Sequence, residues 1–113
     1  MHSAGTFVDP SGKVTRLGVE DFELTPVRRW TSPVSAVTYP VGWTVDVAPL
    51  GLNVEVEPWQ EDQEMNVAVR YWEGAMRVKG TRAGRPVAGY GYLELAGYRA
   101  ATEGAELPAL PRR

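Results

Sequence analysis

Few groups in this sequence could move a proton. It has no cysteine, and its single histidine is His2. Thiol nucleophiles, disulfides and thiolate metal sites are therefore excluded. A Ser-His-Asp or Cys-His mechanism lacks a credible base, and a His-rich zinc or iron site lacks ligands. Proton chemistry falls to carboxylates and phenols. Glu73 and Glu94 stand in the middle of segments rich in aromatic rings, unlike the acids of the connecting stretches. A carboxylate there either faces water or is buried with a shifted pKa, and only the second would be a catalytic acid. The rings are numerous for the length: Trp30, Tyr39, Trp43, Trp59, Tyr71, Trp72, Tyr90, Tyr92 and Tyr98. A core absorbs some of them, but Tyr and Trp also line pockets for flat, conjugated ligands.

Three other clusters read more plainly. Glu61, Asp62 and Glu64 could offer oxygens to calcium, but they lack the glycine and alternate-position oxygens of a calcium loop and read as a solvated turn. Glu55 and Glu57, two residues apart, could share a proton but read as a wet outer strand face. Gly89-Tyr90-Gly91 is followed by strand rather than helix, so it lacks the helix N-terminus that a phosphate-binding loop requires.

The elements that must position these residues are strands. No window of about 11 residues keeps apolar spacing at i, i+3, i+4 and i+7 without a Gly or Pro. Pro10-Ser11-Gly12 separates Gly5–Asp9 from Lys13–Leu17 and predicts an opening hairpin. Asp21–Val27, Trp43–Val47 and Leu52–Glu57 alternate polar and apolar, the last two joined through Ala48-Pro49-Leu50-Gly51. Tyr71–Lys79 places Trp72, Met76 and Val78 on one face and Tyr71, Glu73 and Arg77 on the other. A turn over 80–86 leads to Val87–Leu95, which alternates again. Residues 31–42, with Pro33, Pro40 and Gly42, read as one long irregular stretch. Seven or so short strands predict an antiparallel barrel or sandwich.

Composition fits one domain. The 113 residues are 43% hydrophobic and 23% charged, with 12 Gly, 9 Pro and a net charge of −2. That balance does not favour nucleic acid or an anionic membrane. No apolar run approaches the roughly 20 residues that span a bilayer, and the first residues lack the pattern of a signal peptide. The compartment stays open, cytoplasmic by default. Residues 1–98 are expected to form the domain and 99–113 a loose tail.

The segment Tyr71-Trp72-Glu73-Gly74-Ala75-Met76-Arg77-Val78-Lys79-Gly80, followed by Gly89-Tyr90-Gly91-Tyr92-Leu93-Glu94-Leu95-Ala96-Gly97-Tyr98, resembles the C-terminal end of the carotenoid 1,2-hydratase and AttH-like family. Upstream, Trp30-Thr31-Ser32-Pro33, Tyr39-Pro40-Val41-Gly42-Trp43 and Asp62-Gln63-Glu64 follow the family's order of motifs. The resemblance runs from about residue 5 to residue 98. It implies an all-β, antiparallel lipocalin-like β-barrel, or a closely related sandwich, with little or no helix. Family members carry two such domains in tandem, and this chain resembles the second alone. The implied activities are cofactor-independent: hydration of a terminal double bond of an acyclic carotene, or cyclisation of a polyene. The alternative is a non-catalytic, lipophile-binding or structural domain that needs a partner domain. On the catalytic reading, Glu73 and Glu94 are the acids. Trp72, Tyr90 and Tyr92 form pocket walls, with Trp30, Tyr39 and Trp43 as further ligand-binding rings. No metal or cofactor is expected. The expected partners are a lipophilic small molecule and either a second copy or a separate N-terminal-type domain.

Overall fold

The computed structural model describes residues 3–100, and these are nearly all β. The opening hairpin pairs β1 (Gly5–Val8) with β2 (Val14–Leu17) as a two-stranded sheet of its own. Its turn is built by the Asp9 carboxylate, which accepts hydrogen bonds from the Ser11 and Lys13 backbone N–H groups and from the Ser11 hydroxyl. An aspartate bonding forward in this way mimics a backbone turn.

The other six strands form one antiparallel sheet: β3 (Phe22–Thr31), β4 (Thr38–Val47), β5 (Leu52–Pro58), β6 (Glu64–Asn66), β7 (Arg70–Arg82) and β8 (Arg85–Ala96). The order is β3-β4-β5-β7, with β6 beside β7 beyond the end of β5, and β8 along the opposite flank of β7. A single 3-10 turn, Ala48–Leu50, joins β4 to β5. The β7–β8 turn is only Ala83-Gly84, both with positive φ (51° and 81°), the geometry that suits the twist of a tight hairpin. The seven-residue turn expected over 80–86 is thus mostly strand.

Alternation sorts the sheet into two faces. Register places Trp43 against Val56, Val45 against Val54, Val56 against Val78, and Trp72 against Leu95 on the inner face. Thr44 against Glu55, Glu57 against Arg77, and Arg77 against Tyr90 share the outer face. The core gathers Val37, Tyr39, Val41, Trp43, Trp72, Met76, Leu95 and Ala100. The sheet curls in a sandwich-like manner and does not close into a barrel: β3 and β8 end its path unpaired with each other among the described residues.

Residues 31–42 correct the sequence reading. Only Ser32–Val37 forms the connection, and Thr38–Val47 is a continuous strand. Pro40 is tolerated because β5 pairs with β4 only from Trp43 onward, leaving Pro40 beside β3 alone. A bulge at Arg28 carries its Cβ against Gly42, where an added Cβ would come within 2.7 Å. Thr38–Val47 reads as broken only if these two residues are taken as breakers. The expected tail, 99–113, lies mostly outside the described residues; within them, Ala100 is buried in the core. No helix among the described residues is long and apolar enough to cross a membrane.

Candidate functional site

The inner face carries a cavity of about 310 Å3 lined by Leu24, Trp43, Val45, Val56, Val78, Gly91, Tyr92 and Leu93. Strands β3, β4, β5, β7 and β8 converge there with residues their alternation turns inward, except Tyr92, which lies on the opposite face with Glu73 and Glu94, is 69% exposed and reaches the cavity only at its border. Trp43 is fixed by a hydrogen bond of 2.8 Å from its indole N–H to the Pro40 carbonyl. Its ring therefore presents a fixed apolar wall. No carboxylate lines this cavity.

Trp72 and Tyr39 are fully buried in the core rather than in the cavity wall, and Trp72 donates its indole N–H to the Glu61 carbonyl at 2.8 Å. Trp30 stacks on Tyr39 with ring centroids 6.4 Å apart, and Tyr98 tilts against Tyr39 at 5.8 Å. Tyr90 lies on the outer face, stacked on Trp59. Of the six rings expected to bind ligand, Trp43 and Tyr92 border the cavity.

Glu73 and Glu94 are direct cross-strand partners, so they share one face, and it is the face opposite Trp72. Glu94 is exposed and Glu73 half-buried. The Tyr92 hydroxyl donates to Glu73 Oε2 at 3.0 Å. That hydrogen bond to a carboxylate, joined by slight desolvation and the negative charges of Glu73 and Glu94, raises the Tyr92 pKa above its ordinary value. Glu73 raises the Tyr71 phenol likewise, through hydrogen bonding first and charge second. Both phenols therefore keep their protons through neutral pH.

The best-held carboxylate is Glu64, which the sequence reading placed in a solvated turn. The structure corrects that reading. Glu64 Oε1 accepts from the Ser32 hydroxyl at 2.7 Å and the Asn66 amide at 3.0 Å, and Oε2 accepts from Ser35 at 2.6 Å and Tyr39 at 2.7 Å. Desolvation pushes its pKa up, but the hydrogen bonds from Ser35, Tyr39, Ser32 and Asn66 together outweigh it and lower the value to about 2. The two serines come from the β3–β4 connection, where the Ser32 hydroxyl also accepts from the Val34 and Ser35 N–H groups. Glu64 is 32 residues from Ser32, so no spacing rule could have joined them. An anion saturated by four donors cannot serve as a proton donor; it ties the connecting loop to β6. The neighbouring Glu61 pairs with Arg28 at 2.7 Å. No cluster of three or more potential metal-ligating side chains occurs among the described residues.

The three upstream motifs, Trp30–Pro33, Tyr39–Trp43 and Asp62–Glu64, thus meet at one end of the sheet. The AttH-like family model matches residues 1–98. The structure is similar to that of an AttH protein from Nitrosomonas europaea, with a TM-score of 0.73 and 31% identity, covering 87% of this chain and 30% of that one. It is also similar to kievitone hydratase from Nectria haematococca, with a TM-score of 0.69 and 26% identity, covering 82% of this chain and 29% of that one. The chain therefore spans about 30% of the length of these neighbours. Comparison with curated proteins gave no match. The matched family model over nearly all the described residues, and the fold shared with both neighbours, establish that this chain belongs to the AttH-like family.

Proposed function

We propose that the inner face binds one end of a lipophilic, polyene-type ligand, and that the chain works as part of a cofactor-independent hydratase or cyclase. The observation that carries this reading is the cavity bordered by Trp43 and Leu93, apolar on every strand that reaches it. Its volume lies at the low end of the roughly 300–1,000 Å3 of small-molecule sites, which suits a chain terminus better than a whole carotene. Similarity to kievitone hydratase supports hydration as the reaction class.

In a hydration, a general acid adds its proton to one alkene carbon. The resulting cation is attacked by water, and the water's surplus proton returns to the acid's conjugate base. Trp43 and Tyr92 would stabilise the cation through their ring faces. Glu73 is the first candidate acid, reached from the cavity border through Tyr92; because Tyr92 donates to it as a carboxylate, it would have to take up a proton before it could protonate an alkene. Glu94 stands opposite it. A cyclase would need less, only a cavity that folds the substrate and one or two donors.

A second reading has its own support. Both glutamates lie on the face opposite Trp72, and the chain spans about 30% of its structural neighbours. On that reading the domain binds without catalysing and completes its site with a partner domain. Incubation with lycopene, an acyclic carotene, separates the two. Catalysis predicts a hydrated product whose formation falls at least 10-fold in Glu73→Gln or Glu94→Gln while lycopene affinity is retained. Turnover that survives both substitutions removes the proposed acids. Binding without turnover in the wild-type protein selects the second reading.

A further inference from the structure

The outer face carries a second, chemically different groove of about 400 Å3. One wall is an aromatic stack: Trp59 and Tyr90 lie with centroids 6.1 Å apart and planes 20° from parallel, and the Arg77 guanidinium sits 4.9 Å from the Trp59 ring centroid. Tyr90 is 82% exposed and Trp59 50% exposed. The floor is Ala88, small and exposed, which lets a ligand ring approach the strand. The rim alternates charge by register, with Glu55 opposite Lys79 and Glu57 opposite Arg77.

We infer that this groove is a binding site for a neutral carbohydrate. Two acids and two bases balance, so the lining favours no net charge on its ligand. It nonetheless offers charged donors and acceptors, which make strong hydrogen bonds to hydroxyl groups. A flat aromatic ligand inserted between Trp59 and Tyr90 would need about 7 Å between them, twice a carbon–carbon contact, and the rings are already stacked more closely than that. A sugar ring has no such need. It lays its apolar C–H face along the exposed Tyr90 ring and turns its hydroxyls toward Glu55, Lys79 and Arg77. The site lies on the face opposite the lipophilic cavity and does not depend on the reading of that cavity.

Titration of the full chain with maltoheptaose and with cellopentaose, followed by saturation-transfer NMR and calorimetry, tests this. Saturable binding of at least one glucan is expected, with a Kd on the order of 1 mM. Tyr90→Ala should weaken it at least 10-fold, and Ala88→Leu, which fills the floor but leaves the rings in place, should do the same. Both positions are exposed, so thermal melts should be close to wild type. Thr25→Ala, elsewhere on the outer face, should bind normally. Absence of binding by either glucan at about 10 times that concentration, or binding indifferent to Tyr90→Ala and Ala88→Leu, overturns the assignment.

Discussion

Glu64 shows how a carboxylate in an acidic, polar stretch becomes a structural anchor. Its ordinary pKa is 4.5 and the folded value is about 2. A lowered folded value means that the ionised form is favoured by folding. Its contribution is full above about pH 4.5 and is lost as pH falls toward 2. Glu64→Gln, which removes the charge but keeps one acceptor, should cost about 1–3 kcal/mol at neutral pH. The gap in melting temperature between wild type and Glu64→Gln should then shrink as pH falls through that window. A gap that stays constant with pH would mean that the four hydrogen bonds do not depend on the carboxylate charge. The same residue marks the limit of sequence reading at this scale. The types were visible, but Glu64 on β6 meets Ser32 and Ser35 of the β3–β4 connection and Tyr39 of β4 only through the tertiary fold, since β6 pairs with β7 and not with β4.

At the scale of elements, most strands were legible because one wet face forces a period of two. Trp72, Met76 and Val78 point inward, and Glu73 and Arg77 outward, as alternation requires. What was not legible is the join between β5 and β6. Glu64–Asn66 is too short to show a pattern, and between the two strands Gln63 stands in for a neighbour of β7. Its carbonyl accepts from the Glu73 N–H at 3.3 Å, its side-chain oxygen accepts from the Ala75 N–H at 3.1 Å, and its amide donates to the Gln60 carbonyl at 2.8 Å. Gly74 makes this possible, since a Cβ there would overlap the Gln63 carboxamide. The carboxamide is the end of a flexible side chain and can swing away, so the damage from Gly74→Ala is the loss of these bonds rather than a backbone clash. Gly74→Ala and Gln63→Ala should each cost about 1–3 kcal/mol. Their double mutant should cost little more than either alone, because both remove the same interactions. Additive costs in denaturant titrations would refute the overlap.

The whole molecule is longer than its residue count suggests. Its radius of gyration is 15.5 Å, with extents of 46 × 28 × 23 Å, whereas a compact chain of this length gives about 13 Å. The six-stranded sheet does not close and the β1–β2 hairpin forms a sheet apart from it, and part of the inner face borders an open cavity. Apolar surface left in contact with water forgoes about 25 cal/mol for each Å2 that could be covered. On the proposed reading, a lipophilic ligand, a second copy or a partner domain would cover it. Native mass spectrometry of gently purified protein should find a lipophilic adduct, a dimer, or both. Delipidation should lower the melting temperature by several degrees, since a ligand at 100 times its Kd adds about 2.7 kcal/mol. Trp43→Ala, which removes one wall of the cavity, should abolish adduct retention. A bare monomer at high concentration, with a melting temperature indifferent to delipidation, would show that the inner face is stable uncovered and would remove the support for a ligand there.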